Sequence, residues 1–310
     1  MPPPAEGPAE GTRTRPDATD IARLRAMLDA EHARMGALLD HLAAPSAASD
    51  EAGALRAENA RLRAEIERLN QHAHYEAWFN ATFNTTLRTP NTWPFTTFTP
   101  GTPWCDKVVY GMQDGEFLFA AHLIAGLDEQ GVAGDIVEFG AYGGTWLETL
   151  AQLIESRGNG RLLWGFDSFE GLPEPDAEKD GAIWTAGQYA MGLDEVAARL
   201  RVAERPFLRL VKGWFRDSLR EAPATGISRI AYARIDGDLY ASAVDCLAYL
   251  TDRLADGAIL VFDDWQFSVN HGEVLAFREW IAAHPIFEFE FLGMNMWAHL
   301  YLRVRRRAGA

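Results

Sequence analysis

Short apolar runs alternate with helix-forming stretches from about Gly115 to the end of the chain, and this alternation narrows the possible folds more than any other feature. The runs "DIVEF", "RLLWGF", "FLRLV", "RIAYARI" and "AILVF" are almost continuously hydrophobic. Strands read this way when both faces are buried, the condition of a parallel sheet covered by helices. The stretches between them carry helical periodicity: in "GEFLFAAHLIAGLDEQ", Phe117, Leu118, Ala121, Ile124 and Ala125 share a face. The last two runs, "IFEFEFL" and "MWAHLYLRV", lie only a few residues apart. A link that short joins antiparallel strands, since a parallel pair needs a long crossover. The expectation is an α/β fold over residues 111–306, a mostly parallel sheet ending in an antiparallel hairpin.

The chain ahead of this region reads differently. Residues 1–20 are rich in Pro, Gly and charge and are expected to be disordered. Over residues 21–72, Ile21, Leu24, Leu28, Met35, Leu38 and Leu42 recur at three- and four-residue steps, broken near Pro45. A second heptad pattern follows, with Leu55, Leu62 and Leu69 at one core position and Asn59 and Ile66 at the other. This helical coiled-coil arm makes a homo-oligomer or partner contact in one reading, and a hairpin folded back on its own domain in the other. Residues 73–110 combine many aromatics, Tyr75, Trp78, Phe79, Phe83 and Trp93 among them, with Pro90, Pro94, Pro100 and Pro103. So much aromatic surface must pack on something. The segment is a linker belting the arm to the domain, or a lid over a cleft.

A formal net charge of −15 argues against general nucleic-acid binding, and the basic run "RVRRR" reads as a solvated end. The two cysteines, Cys105 and Cys246, have no metal-like spacing and suggest a reduced compartment without disulfides. The first residues lack the apolar core of a secretory signal, and no window approaches the ~20 apolar residues of a membrane span. A cytoplasmic protein is expected.

In open α/β sheets, ligands bind at the carboxyl ends of the strands. The first strand ends in "EFGAYGGTW", where Gly140, Gly143 and Gly144 allow a tight turn and close backbone approach beside Glu138. The second ends in "GFDSFEGLP", with Asp167 where an acid would grip ribose hydroxyls. A pyrophosphate cradle, which an NAD site needs, is missing. A carboxylate at Glu138 is compatible with a phosphate-free, cationic donor such as S-adenosylmethionine. The sheet pattern likewise fits the class I methyltransferase (Rossmann-like) fold better than a dinucleotide dehydrogenase.

Five linked motifs, "GDIVEFGAYGGT", "WGFDSFEGLP", "KGWFRDSL", "RIDGDLYASAVDCL" and "GAILVFDDW", resemble in order and spacing the macrocin O-methyltransferase family, over about residues 110–265. The resemblance implies a class I fold, S-adenosylmethionine as donor and magnesium-dependent O-methylation of a sugar hydroxyl. Carried over by motif, Glu138, Gly140, Tyr142, Gly143, Gly144, Thr145, Asp167 and Ser168 would hold the donor. Trp214, Asp217 and Ser218 would lie beside its adenine. Asp236, Asp263 and Asp264 would bind the metal. The sequence departs from the pattern at Trp265, where tyrosine is common, and in the following "QFSVNHGE".

Three clustered carboxylates raise one another's pKa unless a counter-charge sits among them, and hard oxygen ligands of this kind suit Mg2+. Candidates for the base that takes the hydroxyl proton are Asp236, Asp238 and His271. Asp238 reads first as the N-cap of the next helix, and His271 at least as well as a solvated helix start. The expected function is metal-assisted O-methyl transfer to a small-molecule or glycan acceptor. The competing reading is a non-catalytic methyltransferase-like module organised by its coiled coil.

Overall fold

A computed structural model describes residues 49–84, 113–221, 223–265, 268–294 and 299–307. The expectations for residues 1–20, for the first heptad run and for the proline-rich part of residues 85–110 fall outside them. The chain divides into two compact units, Met1–Arg68 and Leu69–Ala310. In the first, helix α1 (Ser49–Phe83) begins, with Asn59 buried and Arg61 paired to Glu58 at 2.8 Å.

The second unit is the α/β domain. Helix α2 (Gln113–Glu129) leads into strand β1 (Asp135–Phe139), helix α3 (Thr145–Arg157) and strand β2 (Leu163–Asp167). Helix α4 (Leu193–Arg199), strand β3 (Leu208–Lys212), the single turn α5 (Phe215–Ser218) and strand β4 (Ile230–Ile235) follow. Helix α6 (Tyr240–Leu250), strand β5 (Leu254–Phe262), helix α7 (Gly272–Ala283) and strands β6 (Phe287–Met294) and β7 (Leu300–Arg306) complete it. The strand order is β3-β2-β1-β4-β5-β7-β6. Strands β1 to β5 are parallel; β7 runs antiparallel to both β5 and β6. The closing hairpin is therefore present, and its second strand inserts beside β5.

Side-chain alternation along the strands sends Val137, Phe139, Ala233 and Ile235 into one core with α6 and α7. Ile136, Tyr232, Ile259 and Val261 face the other core, under α2 and α3. Helix α1 runs without a break past residue 72, and no proline lies between Pro45 and Pro90 to interrupt it. Its last turns bury Tyr75, Phe79 and Phe83 within the domain. The Trp265 indole N–H donates to Tyr75 Oη at 2.6 Å, and the Phe79 and Phe291 rings meet edge-on at 5.3 Å. Cys246 is buried. No helix among the described residues is long and apolar enough to cross a membrane.

Candidate active site

The carboxyl ends of β1, β2, β4 and β5 border a cleft of about 460 Å³. At the end of β1 the backbone turns at Gly140, with φ +97°. A Cβ there would lie 1.6 Å from the Asp236 carbonyl oxygen, so only glycine lets β1 and β4 approach this closely. At the end of β2, Asp167 accepts the backbone N–H groups of Tyr142 at 2.8 Å and Phe169 at 2.6 Å. Burial pushes its pKa up, and those N–H groups oppose the rise. Ser168 closes the next turn by donating to the Gly171 carbonyl at 2.8 Å.

Of the residues expected to hold a donor, Gly140, Tyr142, Asp167, Ser168 and Trp214 line the cleft. The others shape its surroundings. Gly144, at φ +73°, precedes α3 and packs against Leu200; Gly143 and Thr145 lie against Arg199. Ser218 donates to the Gly213 and Trp214 carbonyls, and exposed Asp217 pairs with Arg216 at 3.4 Å. Glu138 is not among the described residues that line the cleft. It is the register partner of Arg234 on β4, and one carboxylate oxygen stands 3.7 Å from the Arg234 Nε.

Arg234 is the residue that sequence reasoning missed. It opens the stretch "RIDGDLY", two residues before Asp236, and so projects from the same face of β4. Its buried guanidinium contacts Glu116 on α2 at 3.4 Å, Asp236 at 3.6 Å and Asp263 more closely, and it lies 4.4 Å from the centre of the Trp146 ring. His299 bridges Glu116 at 2.7 Å and Asp263 at 3.2 Å. Burial opposes ionisation of Glu116, but His299, Arg234 and Tyr301 together hold its pKa down to about 2. The available signal was a charged residue inside an otherwise wholly apolar strand.

Among the described residues, one guanidinium does not balance the remaining acids. Burial, with Asp263 and Asp167 adding to it and Arg234 opposing, pushes Glu138 up to about 8. Asp238 is likewise raised to about 8 by burial and by Asp236. Asp236, Asp264 and Glu273 lie well above the carboxylate range, each through burial first and neighbouring carboxylates second. Glu138 Oε2, Asp264 Oδ2 and Glu273 Oε1 are buried without a hydrogen-bond partner among the described residues. Carboxylate oxygens of Asp236, Asp263 and Asp264 all lie within 4.8 Å of one another. A second such group, Glu116, Asp263 and His299, is already joined by its own contacts. Excess buried negative charge, an orphaned oxygen and an all-oxygen donor set fit a hard divalent cation at the first group.

One sequence expectation fails here. Asp238 does not cap α6: the helix begins after Leu239 with no side-chain cap, and the Tyr240 N–H is bound by Asp180 at 2.6 Å. The left-handed backbone at Asp238, φ +59°, accompanies a carboxyl hydrogen-bonded to Asp264 instead. His271 starts α7, with its Nδ1 2.7 Å from Ser268 Oγ, and is not among the residues lining the cleft.

The strand order with its inserted antiparallel β7, the glycine turn after β1 and the acid at the end of β2 define a class I S-adenosylmethionine-dependent methyltransferase. The family described as Macrocin-O-methyltransferase (TylF) matches residues 101–290, more than half of the chain, which therefore belongs to that family and is an O-methyltransferase. The chain is 35% identical over 182 residues to an 8-demethyl-8-(2,3-dimethoxy-alpha-L-rhamnosyl)-tetracenomycin-C 4'-O-methyltransferase of Streptomyces olivaceus, covering 54% of this chain and 67% of that one. It is 30% identical to the mycinamicin III 3''-O-methyltransferase of Micromonospora griseorubida, covering 51% and 65%. The chain thus spans about two thirds of these relatives' length. Among solved structures, the calicheamicin methyltransferase CalS11 superposes with a TM-score of 0.52 at 25% identity, covering 63% of this chain and 80% of that one.

Proposed function

We propose that the protein methylates a hydroxyl of a sugar or glycan-like acceptor with the help of a divalent cation, magnesium by its donor set. The observation that carries this reading is the close approach of the Asp236, Asp263 and Asp264 carboxylates beside the donor crevice, with Asp264 Oδ2 unsatisfied. A cation bound there would supply Lewis acidity to the acceptor hydroxyl and orient it. Gly140, Tyr142, Asp167, Ser168 and Trp214 bind the donor, Asp167 through the lone pairs left over by its backbone N–H contacts. The turn and helix start at Gly143, Gly144 and Thr145 hold that wall in shape. Arg234 orients Asp236 and Asp263 from beneath. Asp238 receives the hydroxyl proton at its carboxylate: it lines the cleft, and its raised pKa suits a base working near neutrality. Residues 21–72 act as an arm that joins copies of the chain.

Asp236→Asn is the decisive variant. Methyl transfer from labelled donor to a panel of glycosides should fall by about 10³-fold, while calorimetric binding of S-adenosylmethionine is retained. Wild-type rates in this variant, or undiminished wild-type activity in chelator, would overturn the metal-assisted reading.

A further inference from the structure

Resting on the donor assignment above, we infer that Tyr189 is a positioning residue for the methyl donor: its ring, carried on the loop after β2, braces Tyr142 and so holds the turn after β1 in its donor-binding shape. Tyr142 and Tyr189 both line the cleft, and both have left-handed backbone, with φ +39° and +57°. Large side chains rarely adopt that conformation, and it persists only where the surroundings impose it. At Tyr142 one constraint is the N–H bond to Asp167 at 2.8 Å. The other is the Tyr189 ring, set edge-on with centres 5.6 Å apart and planes at 73°. Each tyrosine is 48% exposed, and neither belongs to the two apolar cores, so the pair does not exist to fill the interior.

The loop is built to present that ring. The Leu172 N–H donates to the Gln188 carbonyl at 2.8 Å, and the Gly187 N–H donates to the Leu172 carbonyl at 2.9 Å. These bonds close a neck immediately before Tyr189. Inside it, the Gln188 side-chain oxygen accepts the Thr185 N–H at 2.7 Å, and the Trp184 ring meets the Tyr189 ring at 6.4 Å. Two residues further on, Met191 lies against the same turn, its Cε 3.6 Å from where a Cβ on Gly143 would stand. Leu200 covers Gly144 in the same way. The chain from Tyr189 to Leu200 therefore runs along three consecutive residues of the β1 turn, Tyr142, Gly143 and Gly144. No charged residue occurs from Gly181 to Gly192, so the brace at Tyr142 works by ring packing and not by charge. Without it the Tyr142 backbone is free to relax. A turn that is competent in only a fraction of the molecules binds its ligand more weakly by that fraction.

Calorimetric titration of S-adenosylmethionine into the full-length protein tests this without an acceptor. Tyr189→Ala should weaken donor binding about tenfold, the upper range for loss of one aromatic pair. Tyr189→Phe keeps the ring and should bind as the wild type does. Ile183→Ala, at an exposed position on the same loop, should change nothing. In a Tyr142→Ala background, Tyr189→Ala should cost less than about twofold, because no ring is left to brace. Wild-type affinity in Tyr189→Ala, weak binding in Tyr189→Phe, or an equal loss in both backgrounds overturns the inference. Where Tyr142→Ala binds too weakly for that cycle, the contrast between Tyr189→Ala and Tyr189→Phe decides. Failure of the functional reading looks different. Wild-type protein that binds no S-adenosylmethionine overturns the donor assignment and the brace together, whereas donor binding that responds to Tyr189 with no glycoside methylated overturns only the acceptor reading.

Discussion

Two buried arginines, Arg205 and Arg234, sit among carboxylates and do opposite things to them. Arg205 is held by Glu148 and, at 2.9 Å, by Glu155, both on α3, and it also donates to the Leu200 carbonyl. Its hydrogen bond draws Glu148 down to about 2. Arg234 faces Glu116, Glu138, Asp236 and Asp263, and beyond them Asp238, Asp264 and Glu273. Around it, Glu138 and Asp238 rise to about 8. The first cluster is balanced and fastens a helix to the loop before β3. The second holds more acid than its cation can neutralise, and such an excess is stable only where protons or a metal ion share it. That difference separates a structural ion pair from a candidate active site.

The comparison is broken most strongly by removing each cation. Arg234→Met should destabilise the chelated protein by about 3–5 kcal/mol, as expected for buried charges left unpaired, and magnesium should restore part of the loss. Arg205→Met should cost less, about 1–2 kcal/mol from lost hydrogen bonds, with no dependence on metal, because its carboxylates reach solvent. Urea unfolding with and without magnesium measures both. Identical metal responses in the two variants would contradict the distinction.

Proton linkage sharpens it next. Glu148 has a folded value of about 2 against an ordinary 4.5, so its stabilisation is complete above 4.5 and is lost as pH falls toward 2. Glu138 has a folded value of about 8, so between 4.5 and 8 the folded chain binds the extra proton. Stability then falls as pH rises through that window. In chelator, Glu148→Gln should flatten the acid limb, and Glu138→Gln should remove a decline of about 5 kcal/mol across the window from 4.5 to 8. An unchanged neutral slope in Glu138→Gln argues against the account of that cluster.

The smallest effect belongs to Asp180, a cleft carboxylate with a partner of its own. Asp180→Ala should cost about 1 kcal/mol, the usual loss for a helix cap, with no change in metal affinity. A shift in magnesium binding measured by calorimetry would move Asp180 into the acidic cluster.

The amino-acid sequence by itself determined the sheet, because periodicity and apolar continuity are local properties. It gave the parallel order of units, the closing hairpin and the carboxylates at the ends of β2, β4 and β5. The motif "RIDGDLY" also carried the family resemblance. Tertiary structure alone decided what each acid faces. Glu138 meets Arg234 only because β1 and β4 pair in one register, although their residues lie far apart in the chain. Asp180 takes the helix cap that the position of Asp238 in the chain suggested, since a cap is set by which oxygen reaches the N–H. Glu116, Glu273 and His299 join the cluster from α2, α7 and the approach to β7, contacts that no local pattern encodes. Electrostatic balance depends on distance and burial in three dimensions, so the sequence could name the acids while only the fold could show that they outnumber their cation.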